Sequence, residues 1–232
     1  MSKVVAIASG GMDSATLLYH YLHEGNEVQA VGFDYGQHHS VELSHLAALC
    51  KQAGIALRVV DLHSLSNHLT GSSLTSDLPV PDGHYTEESM RTTVVPNRNA
   101  IMLAIAAGIA VAEEADILAT GVHAGDHYIY PDCRPEFISA LGHAFALGTE
   151  GFGHFTLDAP FVHKTKAEIA AYGSTLEVPY HLTWSCYKGE ESHCGRCGTC
   201  VERIEAFEIA KVTDPTVYED TTFAHAKMME RA

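Results

Sequence analysis

The chain has 232 residues, 46% of them hydrophobic, with 14 basic against 29 acidic side chains and a formal charge of −15. That length holds one sizeable domain, or one with an appendage, and the hydrophobic content supports a real core. The acidic balance is a poor match for a polyphosphate partner such as tRNA or DNA, which wants a basic face.

Residues 3–9 (KVVAIAS) are β-branched and continuously apolar, the pattern of a strand buried on both faces. The apolar run before the glycines is five residues, too short for a secretory signal core. Residues 12–25 follow as a helix, with Leu17, Leu18, Tyr21 and Leu22 on one face and Gly25 as its stop. A strand over 27–36, a helix over 38–54 and a strand over 56–62 come next. Residues 62–92, rich in Ser, Pro and Gly, read as a long loop with at most a short helix.

A helix over Arg98–Ala112 carries the longest apolar stretch, residues 100–112. Thirteen residues cannot span a bilayer, so it reads as a buried helix and the cytoplasm is the expected location. Strands over 116–122 and 155–160 and helices over 134–148, 164–173, 201–210 and 214–230 complete the pattern. Repeated βα units with apolar strands predict an α/β fold with a doubly wound parallel sheet and ligands at the strands' C-terminal ends. The expected division is an α/β unit over 1–180 and a small helical appendage over 181–232.

The turn after the first strand reads SGGMDS, residues 9–14. It joins a strand end to a helix N-terminus, where unpaired N–H groups and the helix dipole favour an anion. Gly10 and Gly11 let the backbone approach an oxyanion, and Ser9 and Ser14 add hydroxyls. Asp13 either pins the loop through backbone N–H groups or shares a magnesium ion with phosphate. The lysine of the usual phosphate-binding loop is missing.

Cys186, Cys194, Cys197 and Cys200 form C-x7-C-x2-C-x2-C. Four thiolates suit a closed, structural Zn²⁺ site, with Gly195 and Gly198 expected at positive φ in the knuckles. A redox pair and an iron–sulfur cluster are the rivals. Cys50 reads as helix packing, while Cys133, just before a helix, suits either burial or a nucleophile.

S-G-G-x-D-S after a first strand resembles the PP-loop of the N-type ATP pyrophosphatases, which split ATP between its α- and β-phosphates. Taken with GFDYGQHH (32–39), VVPNRNAIML (94–103), TGVHAGDHYIYPDCRPEF (120–137), LDAPFVHKTKAEI (157–169) and TWSCY (183–187), the pattern closely resembles the QueC family of the queuosine pathway. That resemblance implies an adenine nucleotide alpha hydrolase-like, Rossmann-like fold. It implies conversion of 7-carboxy-7-deazaguanine and ammonia to the nitrile through adenylate and amide intermediates, using two ATP. It places ATP on Ala8, Ser9, Gly10, Gly11, Met12, Asp13, Ser14, Ala15, Thr16, Leu17 and Leu18, with Phe33 and Tyr35 at the second strand's end. Arg98, in P-x-R-N, and Lys166, in K-x-E, are the candidate cations, with Lys164 a competitor for the second role. Zn²⁺, Mg²⁺ and a homodimer are implied as well.

A guanine-like ring wants a carboxylate for its N1–H and 2-amino group. Asp126 and Asp132 are candidates, with Tyr130 to stack and Arg134 to meet the substrate carboxylate; Asp132 could equally cap the following helix. Three other readings stand beside this one. They are a PP-loop tRNA-modifying enzyme, a non-enzymatic zinc-binding regulator, and a ligase that stops at the amide.

Overall fold

The computed structural model describes residues 1–36, 41–66, 68, 72, 80, 82–83, 94–126, 130–188 and 191–229, without the side chains of Ser66, Asp126 and Lys227. The strands are β1 (Lys3–Ile7), β2 (Glu27–Asp34), β3 (Ala56–Asp61), β4 (Ile117–Ala119) and β5 (Thr156–Asp158). They form one five-stranded sheet in the order β3-β2-β1-β4-β5, with every pairing parallel. The chain winds outward from β1 to β3, then crosses back to lay β4 on the other side of β1. The switch point therefore falls between the C-terminal ends of β1 and β4, where open α/β sheets bind ligands.

Alternation along β1 builds both halves of the core. Val4 and Ala6 pack on one face with Leu17, Leu18 and Tyr21 of α1 (Met12–His23) and Leu46 and Leu49 of α2 (Val41–Ala53). Val5 packs on the other face with Leu103 and Ala106 of α4 (Arg98–Ala112) and Ile138 of α5 (Pro135–Gly148). A four-residue helix, α3 (His63–Ser66), follows β3. Burying each large aliphatic side chain contributes about 1.5–3 kcal/mol.

Next come α6 (Lys166–Thr175), α7 (Gly198–Ala210) and α8 (Thr222–Met229). Helix α7 packs on α6, and its Phe207 joins the core cluster of Leu17. No helix among the described residues is long and apolar enough to cross a membrane.

The elements differ from the sequence expectations mainly at their ends. Helix α6 begins at Lys166 because Thr165 caps it: Glu168 N–H donates to Thr165 Oγ1, and Thr165 N–H donates to the Glu168 carboxylate at 2.7 Å. It also runs through Gly173, since the Tyr180 hydroxyl occupies the space where a Cβ would stand. The helix expected over 214–230 forms only as Thr222–Met229. Asp214 instead binds Arg203, accepts from Tyr218 Oη at 2.6 Å, and precedes a proline. Gly195 has φ +71°, as its knuckle requires, but Gly198 does not: it opens α7 in helical conformation.

Candidate active site

The loop between β1 and α1 is shaped by Gly10 and Ser14. Gly10 has φ +98°, and any Cβ on it would strike the Glu42 carbonyl. Ser14 Oγ accepts from Ser9 N–H at 3.3 Å and Gly10 N–H at 3.2 Å, and donates to the Gly11 carbonyl at 3.1 Å. Gly11 stands at the N-cap of α1 without a side-chain cap, so the first turn of the helix presents bare N–H groups to the cleft. Ser9 Oγ, which accepts from Gly11 N–H at 3.3 Å, sits at the mouth.

Three elements bring charge to this loop. Asp13 Oδ2 lies 3.5 Å from Lys166 Nζ and 3.7 Å from His123 Nε2. Lys166, the first residue of α6, also donates to Glu202 of α7 at 2.7 Å. His123 Nδ1 accepts the Gly125 N–H at 3.1 Å, which leaves the ring proton on Nε2, facing Asp13. Asp13 Oδ1 is buried and has no hydrogen-bond partner among the described residues. An unsatisfied buried carboxylate oxygen at a helix N-terminus fits a hard cation such as Mg²⁺, which takes oxygen ligands.

Lys166 and Arg98 both line the cleft, which has about 240 Å³ of free space, but they serve different walls. Arg98 Nη1 donates to Tyr35 Oη at 3.3 Å. Glu42 faces the same wall, and burial pushes its carboxyl up to about 8, against the opposing pull of the Arg98 guanidinium. Lys164 stands elsewhere, its ammonium 5.9 Å from the Tyr172 ring centre. The capping box therefore selects Lys166.

Ala8, Ser9, Gly11, Met12, Asp13, Ser14, Phe33, Tyr35, Tyr130 and Cys133 line the cleft. Ala15, Thr16, Leu17 and Leu18 lie behind the loop as buried residues of α1. Cys133 Sγ accepts from the Asn99 amide at 3.1 Å. Asp132 does not cap the helix that follows it, whose N-cap is Arg134 without a side-chain cap; its carboxylate instead accepts the Asn99 N–H at 3.0 Å at the start of the preceding helix, α4. Neither Asp132 nor the exposed Arg134 is among the cleft-lining residues. The Asp126 side chain lies outside the described residues, as does most of GFDYGQHH beyond Gly36.

Sequence reasoning missed Glu42, His123 and Glu202. The T-K-A-E capping signature at 165–168 was legible and fixes where Lys166 points. Glu202 gives no comparable signal, because its role depends on how α7 docks.

The four cysteines meet beyond the loop's far side. All are buried, with sulfurs within 4.8 Å of one another, and Cys194 and Cys200 are 3.9 Å apart. A tetrahedron with 2.3 Å metal–sulfur bonds has edges of about 3.8 Å, so the set fits a four-coordinate ion. Cys194 Sγ also accepts the N–H groups of Arg196 and Cys197 at 3.4 and 3.3 Å, as a thiolate in a metal knuckle does. Segment 183–186 connects this cluster to the loop: Trp184 N–H donates to the Gly10 carbonyl at 2.9 Å.

A doubly wound sheet with this loop at its switch point defines a PP-loop protein of the adenine nucleotide alpha hydrolase type. Comparison with known proteins narrows the class. The family model described as queuosine biosynthesis protein QueC matches residues 3–211. The 7-cyano-7-deazaguanine synthase of Brucella ovis is 51% identical over 99% of this chain and 99% of its own length. That of Rhizobium rhizogenes is 52% identical over 95% of this chain and 94% of its own length. The chain belongs to the QueC family, a family of enzymes.

Solved structures agree on the fold alone. A 4-thiouridine synthetase, in an RNA complex with bound ATP, matches 99% of this chain and 50% of its own with TM-score 0.52 at 15% identity. NMN synthetase from Francisella tularensis matches 100% of this chain and 87% of its own with TM-score 0.50 at 13% identity.

Proposed function

We propose that this chain makes 7-cyano-7-deazaguanine from 7-carboxy-7-deazaguanine and ammonia, consuming two ATP, as a cytoplasmic homodimer. The observation that carries the reading is the meeting of the residue 9–14 loop, Asp13 and Lys166 at the mouth of one cleft. The relatives' name supplies the substrate class.

A carboxylate resists ammonia because it is anionic and has no good leaving group. Its oxygen attacks the α-phosphorus of ATP, and pyrophosphate leaves. Ammonia adds to the activated carbon, AMP departs with the old C–O bond, and a lost proton leaves the amide. The amide oxygen then attacks a second ATP. AMP departs with that oxygen while the nitrogen sheds its protons, giving C≡N.

Both ATP steps build charge on pyrophosphate, which fixed N–H donors and a cation stabilise. The N–H groups at the start of α1 and the Ser9 hydroxyl serve that end, with Ser14 holding the loop in shape and Lys166 as the cation. Asp13 would hold Mg²⁺, which supplies charge neutralisation on the phosphates when bound. Arg98 serves the substrate end. The four cysteines would hold one structural Zn²⁺, joining an ATP-binding unit over 1–180 to the region 181–232 packed on it.

The test is direct. Purified protein with ATP, Mg²⁺, ammonium and 7-carboxy-7-deazaguanine should yield the nitrile by mass. A product that stops at the amide would favour a simple amide ligase, and no pyrophosphate release would refute the enzyme reading.

A further inference from the structure

With the phosphate end assigned, the opposite wall of the cleft is left without a role. It carries Tyr35, Glu42, Arg98 and Tyr130, a mixture of aromatic faces and one charge of each sign. Glu42 is fixed there by its backbone. It is the second residue of α2, and its carbonyl abuts Gly10, so the side chain rises from the flank of the nucleotide loop.

Asp13 and Glu42 are the carboxylates among the described cleft-lining residues. Asp13 is engaged by Lys166 and His123. Of the two carboxylates expected to read the ring, Asp132 is spent on the α4 N-terminus, and the Asp126 side chain lies outside the described residues. Glu42 is half-buried, and burial pushes its carboxyl up to about 8 even with Arg98 opposing. A carboxyl held in such a wall gains most from a ligand that brings N–H donors to it.

We infer that Glu42 is the specificity-determining residue that accepts the N1–H and 2-amino protons of the deazaguanine ring, with Tyr130 against the ring's face. This rests on the proposed function. A carboxylate has two oxygens at the spacing of those two adjacent N–H groups, and a buried one is left unpaired by a ring that lacks the amino group. Arg98 supports the arrangement by favouring the ionised form of Glu42 when the ring is bound.

The experiment compares 7-carboxy-7-deazaguanine with the same ring bearing hydrogen in place of the 2-amino group. Wild-type enzyme should prefer the first by roughly 100-fold or more in kcat/KM. Glu42→Ala should bring the two substrates within about threefold of each other while KM for ATP stays unchanged. If that variant does not fold, Glu42→Gln, isosteric but able to accept only one N–H, should still cut the preference at least tenfold. Full preference retained in a folded variant overturns the role of Glu42 and leaves the proposed function standing. A wild-type enzyme inactive on both rings overturns the proposed function and this inference with it.

Discussion

Trp184 and Gly10 are joined backbone to backbone: the Trp184 N–H donates to the Gly10 carbonyl at 2.9 Å. Two residues on is Cys186, whose carbonyl accepts the Trp184 indole N–H at 2.8 Å. The Trp184 ring lies 4.2 Å from that of His193 and 5.2 Å from that of His45. The cysteine cluster therefore buttresses the back of the residue 9–14 loop through one residue. A second link runs from Cys200 through Glu202 to Lys166 and Asp13.

Metal removal should consequently reach the nucleotide site. Trp184 is the one tryptophan of the chain, so its fluorescence reads the joint. Stripping the cysteines should release about one zinc per chain, shift that emission and weaken ATP binding by roughly tenfold or more. Stripped protein that keeps its fold and binds ATP as before would contradict the coupling.

Lys166 and Glu202 separate by kinetics. Lys166→Ala should lower kcat by about 10²–10³-fold, with circular dichroism unchanged, because it removes a cation from the developing charge. Glu202→Gln keeps the lysine but loosens its placement, and should cost roughly tenfold to a hundredfold. Near-normal turnover in Lys166→Ala would show that the leaving pyrophosphate is stabilised elsewhere.

Arg203 predicts the largest loss of stability. It is fully buried, with its guanidinium on Asp214, on the Thr183 hydroxyl at 2.7 Å and on the Tyr180 carbonyl at 3.2 Å. Arg203→Ala leaves Asp214 without its countercharge and should cost about 3–5 kcal/mol in urea unfolding. Arg196→Ala, which breaks an exposed pair with Asp82, should leave the urea midpoint nearly unchanged.

Glu42 gives the ligand-free protein a signed pH dependence. Its carboxyl is raised from 4.5 to about 8, so between those values the folded chain holds a proton that the unfolded chain has released. Its contribution to stability is fully present below 4.5 and is lost as pH rises toward 8. Glu42→Gln should flatten that part of the stability curve. An unchanged slope in the variant would show that the wall does not hold the neutral acid.

The parallel sheet was legible because its strands are short, apolar and followed by helices, and the loop because its glycines and hydroxyls sit at a strand-to-helix turn. The clustering of the four cysteines was legible from their spacing alone. Arrangements made by docking were not. Glu202 could be placed only by the packing of α7 on α6, and Asp132 only by the approach of α4. The expected helix over 214–230 misled for a related reason: Asp214 is held out of it by a buried arginine, Arg203.

In the proposed reaction one loop breaks ATP at the α-phosphate twice per product. Counting AMP, pyrophosphate and nitrile in one reaction checks this. Two AMP and two pyrophosphate per nitrile are expected, with the amide appearing and then disappearing. ADP and inorganic phosphate as the nucleotide products, or one AMP per nitrile, would contradict it.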